Sequence, residues 1–220
     1  MLYAIVPIKQ LGLVKSRFAD TLLPAERRIL ALTMLEDVLQ ALVQSPAIDG
    51  IGVIGHDQEV FDLADRYCVD SIRDQAGNLN GALTQATQQY AARGAAAVLV
   101  LPADVPQVTP DEIALVVAAW QHTRQMVIVA SHDGGTGALL LAPPLVIPFH
   151  FGRQSAARHR AAAEQRGVPV RQLIAAGLAH DLDSAADAGL LPFANRFTRT
   201  QHLLAGWKIH QQTVVDSRSQ

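Results

Sequence analysis

The sequence predicts an α/β protein built on a single doubly wound, mostly parallel sheet with helices on both faces. Three observations carry that reading. Short runs at Leu2 to Ile8, Gly50 to Gly55, Val69 to Arg73 and Ala95 to Leu101 read as strands, the first of them buried. Segments with helix-start signals separate them, the alternation that gives parallel strands joined by crossover helices. Half of the 220 residues are hydrophobic, ample for the core of one large domain.

Each element has a local cause. A polar loop follows the first strand, and Pro24 opens a helix carrying Ile29, Leu32, Leu35, Val38, Leu39 and Leu42 on one stripe. Asp57 caps a helix to about Tyr67, and Gly77-Asn78-Leu79-Asn80-Gly81 opens another to about Ala92. The strand from Ala95 stops at Pro102-Ala103-Asp104-Val105-Pro106, because proline lacks the N–H that a ladder needs. Thr109-Pro110-Asp111-Glu112 resembles a capping box with proline at the first helical position, starting a helix to about Thr123.

In the second half, strands at Met126 to Ser131 and Ala138 to Ala142 flank a glycine-rich loop. They suggest a hairpin or a local excursion from the parallel pattern. Phe151-Gly152-Arg153-Gln154-Ser155 opens a helix to Arg166. Leu178 to Ser184 reads as a further strand end bearing acid groups, and a terminal helix with a polar tail follows Pro192, loosely ordered from Asp216 to Gln220. The expected division is a main domain over 1–192 and a C-terminal helix and tail over 193–220.

A net charge of −2 and the lack of a long basic block argue against a nucleic-acid groove. A small anionic ligand needs only a few local cations. Cys68 is the single cysteine, expected in the core at a helix-to-strand junction, and no Cys/His cluster has zinc-like spacing. No run approaches the ~20 apolar residues that span a bilayer, and the first residues lack a signal-peptide pattern, so a soluble, cytoplasmic protein is expected.

The residues with chemical potential fall at one edge of the expected sheet, where ligands bind in open α/β folds. Asp104 has no lysine or arginine within ten residues on either side. It reads either as a metal ligand or as an aspartate bracing its own turn. Asp183 is the natural second carboxylate, and two acids from separate strand ends can share a magnesium ion that also binds phosphate oxygens. Asp181 and Asp183 alternate along the expected strand and point to opposite faces; Asp183 is taken to face the metal, with Asp181 in reserve.

Lys9, Lys15 and Arg17 follow the first strand, bringing positive charge where a polyphosphate would need it; a solvated basic loop is the alternative. The small residues around Gly81 let backbone amides approach an anion, and Asn80 is either a reader of a ribose or base edge or a helix cap. Gly152, Arg153 and Ser155 before their helix offer a seat for a second anion or a capping device, and Thr136 could add a hydrogen bond. His159 is read equally as a surface residue.

The ordered set of motifs resembles the phospholactate/phosphoenolpyruvate guanylyltransferases of coenzyme F-420 biosynthesis, relatives of the molybdenum-cofactor guanylyltransferases. The match runs through Val6-Pro7-Ile8-Lys9, Lys15-Ser16-Arg17, Leu23-Pro24-Ala25-Glu26-Arg27 and Gly77 to Leu83. It continues through Leu101 to Pro106, Gly135 to Leu140, Phe151 to His159 and Asp181 to Asp187. That resemblance implies a nucleotide-diphospho-sugar transferase-like (GT-A-like) fold and transfer of GMP from GTP to a phosphorylated three-carbon acid with release of pyrophosphate. It implies Asp104 and Asp183 as ligands of Mg2+, with Mn2+ as the alternative, and Lys15, Arg17 and Asp104 as the catalytic set. Lys9, Lys15, Asn80 and Gly81 would hold GTP, and Thr136, Gly152 and Ser155 the acid, which is 2-phospholactate, phosphoenolpyruvate or 3-phosphoglycerate. A homodimer fits the resemblance, as does a downstream deazaflavin transferase that takes the product.

Two departures fall near the acid's pocket: Thr136-Gly137 stands where the family usually has Thr-Asn, and Ser131-His132-Asp133 where it usually has an arginine. Other readings are a nucleotidyltransferase acting on a sugar phosphate or pterin, a nucleotide-sugar glycosyltransferase using Asp181-Leu182-Asp183, and a non-catalytic nucleotide-binding protein. Residues 9 to 17 lack the Gly-x-x-x-Arg-Met-Gly loop of the first.

Overall fold

In the computed structural model, residues 1–189 and 198–209 are described. Seven strands form one sheet in the order β3-β2-β1-β4-β6-β5-β7. They are β1 (Leu2–Pro7), β2 (Gly50–Gly55), β3 (Asp70–Arg73), β4 (Ala97–Val100), β5 (Gln125–Ala130), β6 (Thr136–Ala142) and β7 (Val170–Leu173). All neighbouring pairs are parallel except those of β6, which runs antiparallel to both β4 and β5. The expected hairpin is therefore β5–β6. Its reversal places Thr136, at the start of β6, at the same sheet edge as the ends of β1 and β4.

Strand periodicity builds two cores. Ala4, Val6, Leu99, Val127, Val129 and Leu140 face one layer, formed by α1 (Pro24–Val43), α2 (Gln58–Arg66) and α4 (Pro110–Ala119). Ile5, Val98, Val100, Met126, Ile128 and Leu141 face the other, under α3 (Leu79–Ala92) and α5 (Ser155–Gln165). Two short helices follow, α6 (Ala176–Ala179) and α7 (Ala185–Ala188), and α8 (Arg199–Gly206) lies against α1. The buried Asp37 of α1 accepts the amides of Arg199 and Thr200 at 3.1 and 2.9 Å, so a carboxylate sits at the positive end of α8. No helix among the described residues is long and apolar enough to cross a membrane.

Four expectations change. Ile29 is 48% exposed, because the buried stripe of α1 passes through Leu30, Met34, Val38 and Leu42, and Ile29 lies one position off it. Helix α4 stops at Ala119, where Trp120 turns extended and donates its indole N–H to the Thr123 carbonyl. Cys68 does sit at the helix-to-strand junction but is exposed, in the left-handed conformation (φ 54°) that commonly ends a helix. Leu178 to Ser184 is no strand: α6 ends at Ala179, and the chain then runs beside the turn after β4, joined to it by the Leu182 amide on the Asp104 carbonyl at 2.9 Å. Asp216 to Gln220 lie outside the described residues.

Candidate active site

Because β1 and β4 are adjacent and parallel, the loops leaving their C-terminal ends meet. The loop after β1 is anchored by the buried side chains of Leu11, Val14, Phe18 and Leu22, and by the Leu11 amide on Asp57 Oδ2 at 2.8 Å. Asp57 thus braces this loop, and it makes no side-chain cap to α2 as the sequence suggested. Lys15 adopts a left-handed backbone (φ 52°) just before a 3-10 turn, Ser16–Phe18, and its side chain is only 6% exposed. Its ammonium lies 3.2 Å from Asp104 Oδ2 and 2.9 Å from Asp183 Oδ1.

Asp104 therefore has an ion partner after all, supplied from 89 residues away. Burial disfavours the Lys15 charge, but the two carboxylates beside it prevail and hold its pKa above the ordinary lysine value. Burial pushes the Asp183 carboxyl up, while Lys15, Arg17 and Lys9 pull it further down, leaving it below the ordinary value. Arg17 reaches Asp183 at 3.4 Å from an otherwise exposed position. Asp181, two residues earlier, has no cation beside it among the described residues: burial, then the charges of Asp104, Asp133 and Asp183, raise its pKa to about 6.

Lys9, Lys15, Arg17, Asp104 and Asp183 line one cavity of about 350 Å³, whose apolar wall includes Met34, Leu79 and Phe151. Asn80 and Gly81 lie behind that wall. The Gly81 amide donates to the capping carboxamide of Asn78 at 2.9 Å, so Asn78 is the cap. The carboxamide of Asn80 binds the Phe151 backbone twice, accepting its N–H at 2.7 Å and donating to its carbonyl at 3.2 Å. Asn80 thus holds in place a residue that lines the cavity.

Past Phe151, Gly152 has φ 118°, a conformation that suits glycine. Thr136 and Ser155 place their hydroxyls 2.7 Å apart. No local sequence signal marks what lies behind them. His159 is fully buried, with Nδ1 3.2 Å from Thr136 Oγ1 and Nε2 accepting the His150 amide at 2.9 Å. Burial first, then the charges of His150 and Arg158, lower its pKa to about 4.

A lowered histidine pKa means that the unfolded chain binds more protons, so stability is complete above pH 6.5 and is lost as pH falls toward 4. At ~1.4 kcal/mol per unit the loss is about 3 kcal/mol. Asp181, raised by burial and its acidic neighbours, works in the opposite direction over part of that range. The expected result is that His159→Gln shows a smaller fall in Tm between pH 7 and 4.5 than the wild type, measured by calorimetry; equal slopes contradict it.

A family model described as guanylyl transferase CofC like matches residues 2–215. The chain belongs to that family. As a member of the CofC-like guanylyl transferases it is a nucleotidyltransferase. It is 39% identical over 184 residues to a protein of Sphaerobacter thermophilus named phosphoenolpyruvate guanylyltransferase, covering 84% of this chain and 89% of that one. A protein of the same name from Roseiflexus sp. strain RS-1 is 38% identical over 187 residues, covering 85% and 83%. The fold is that of a putative nucleotide-diphospho-sugar transferase from Desulfovibrio desulfuricans G20, at TM-score 0.78 and 17% identity, covering 96% of this chain and 97% of that one.

Within this CofC-like chain, the position of Asp183 depends on packing around Gly137, one of the two departures near the acid's pocket. A Cβ at Gly137 would overlap the Leu178 carbonyl oxygen, so α6 can lie this close only over a glycine. Glu112 fixes the next residue back: one oxygen closes the capping box on Thr109, and the other accepts the Gly177 amide at 2.7 Å. From α6 the chain passes to Leu182, on the Asp104 carbonyl, and delivers Asp183 to Lys15.

Proposed function

We propose that the protein transfers GMP from GTP to a phosphorylated three-carbon acid, phosphoenolpyruvate before 2-phospholactate or 3-phosphoglycerate, and releases pyrophosphate, as a step in coenzyme F-420 biosynthesis. The relatives' names support the acceptor. The observation that carries the chemistry is the Asp104–Lys15–Asp183 cluster, open to a cavity with Lys9 and Arg17 on its rim.

A phosphate monoester has a second pKa near ~6 and is dianionic at neutral pH, so the acceptor needs no general base to attack the α-phosphorus of GTP. The task left to the protein is to hold two anions in line and to stabilise charge on the departing pyrophosphate. Lys9, Lys15 and Arg17 serve the triphosphate. Gly152, Thr136 and Ser155 serve the acid, with the mobile proton of a hydroxyl offered to a phosphate or carboxylate oxygen. Asn80 and Gly81 shape the nucleotide side from behind, through Phe151 and the Asn78 cap.

The residues also fit a divalent cation. The Lys15 ammonium marks a point where two hard carboxylate oxygens from distant segments converge on positive charge. Among the described residues no group of three or more His, Cys, Asp or Glu is arranged to hold a metal, so two carboxylates would have to be completed by substrate phosphates and water. That is the donor set magnesium ordinarily takes, with manganese as its substitute. When bound, the ion would neutralise phosphate charge and orient the α-phosphate. Lys15 would then turn its ammonium from the carboxylates to the phosphates.

The test is to incubate the protein with GTP, magnesium and each three-carbon acid in turn, and to measure pyrophosphate. Release with phosphoenolpyruvate, matched by a guanosine diphosphate-linked acid, is expected. Release only with a sugar phosphate, or GTP binding without any release, contradicts the proposal.

A further inference from the structure

The buried imidazole behind the Thr136–Ser155 pair has a direction built into it. A backbone amide can only donate, so the His150 N–H at 2.9 Å makes Nε2 an acceptor, and the neutral ring must carry its proton on Nδ1. That proton points at Thr136 Oγ1, 3.2 Å away, and Thr136 in turn contacts Ser155 Oγ. Three protons, on Nδ1 and on the two hydroxyls, thus serve two contacts. Among the described residues neither hydroxyl has another acceptor, so one O–H is left over. In the opposite tautomer Nδ1 would draw the Thr136 proton, Thr136 would draw that of Ser155, and none would remain.

The geometry points to His159 as a positioning residue that fixes the Thr136–Ser155 pair as a net hydrogen-bond donor toward an anionic oxygen of the acceptor acid. This rests on the reading that Thr136 and Ser155 receive that acid. It deepens that reading by stating what the pair selects: an anionic oxygen, carboxylate or phosphate, whose bond is charge-assisted, over a neutral sugar hydroxyl. The neutral ring achieves this without adding charge beside the nucleotide pocket.

Amide side chains separate the two contacts of the ring. Glutamine at 159 reaches the Nε2 position and keeps an acceptor for the His150 amide, leaving Thr136 without its donor; asparagine reaches the Nδ1 position and keeps that donor. Pyrophosphate release is measured with GTP and phosphoenolpyruvate for the wild type, His159→Gln, His159→Asn and Ser155→Ala. The expected result is a rise in the KM for phosphoenolpyruvate of about 10- to 100-fold in His159→Gln, the scale of one hydrogen bond to a charged group, with the KM for GTP within about twofold. His159→Asn recovers most of that loss.

An unchanged KM for phosphoenolpyruvate in His159→Gln, or a parallel rise of both KM values in both His159 variants, overturns the inference. Ser155→Ala separates the two levels. If it leaves the KM for phosphoenolpyruvate unchanged, the acid is held elsewhere. If it raises that KM while His159→Gln does not, only the role of His159 fails. A measurement on the unaltered protein stands beside these: nitrogen-15 NMR of labelled histidine, assigned by the signal lost in His159→Asn, is expected to show a protonated Nδ1 and a bare Nε2, and the reverse tautomer overturns the inference.

Discussion

Asp104→Asn is expected to lower kcat/KM for GTP by at least about 10³-fold, the scale seen when a metal-binding or charge-stabilising group is lost, while the fold survives. Asparagine matches aspartate in size, and the Leu182 amide bonds to the Asp104 backbone carbonyl, which the change leaves in place. The buried Lys15 keeps Asp183 at 2.9 Å as a partner, so its charge stays compensated. What goes is one of the two carboxylates that could hold a cation against the triphosphate. Pyrophosphate kinetics and a melting curve, read together, check this: a variant with normal melting and turnover within tenfold of the wild type contradicts the assignment.

Gly137→Ala is the second large effect, and it begins as a packing effect. Its Cβ would fall on the Leu178 carbonyl oxygen, a backbone atom that no rotamer change can move aside. α6 has little freedom to retreat, since a Cβ at Gly177 would itself overlap Gln107 and Glu112, and the Gly177 amide is tied to Glu112. Overpacking of this kind costs about 3 kcal/mol. In a chain of this size that lowers Tm by about 6–12 °C. Whatever shift relieves the clash is carried along 179–183 to the carboxylate that meets Lys15, so kcat should fall even at temperatures where the variant is folded. A Gly137→Ala protein with wild-type Tm and kcat would show that α6 does not position Asp183.

The fold could be read because its signals are local. Pro24 has no N–H to leave unpaired at a helix start, and the Thr109-Pro110-Asp111-Glu112 box satisfies backbone groups within a turn of itself; the structure starts helices there and within Gly77-Asn78-Leu79-Asn80-Gly81, where the cap is Asn78 and not Asn80. Periodicity told less. It put Ile29 in the core stripe, and it read the acidic segment near 181 as a strand, because alternating Asp181-Leu182-Asp183 looks the same whether it pairs in a sheet or follows a helical turn. In the structure it is Asp183 that meets Lys15 beside Asp104, and no strand alternation separates it from Asp181.

The candidate site was visible as residue types at one sheet edge and invisible as a network. Lys15 reads either as a phosphate-binding cation or as part of a solvated basic loop; nothing near it in sequence announces that it joins two carboxylates 89 and 168 residues away. His159 carried no mark of burial, since the atoms that enclose it come from β6 and from the loop before α5. Asn80 reads as a cap or as a reader of a ribose or base edge, and the partner the structure gives it, the Phe151 backbone, is 71 residues distant. Contacts of this range follow from the strand order, which places β1, β4 and β6 side by side, and the order is not encoded in any one segment.

Asp104 and Asp183 together are expected to seat a divalent cation beside the triphosphate, with Lys15 yielding its place. The direct measurement is a crystal structure with manganese and a non-hydrolysable GTP analogue, in which anomalous scattering locates the ion. The peak is expected between Asp104 and Asp183, with the Lys15 ammonium moved onto phosphate oxygens; a peak elsewhere, with Lys15 still bridging the two carboxylates, contradicts that role for the pair.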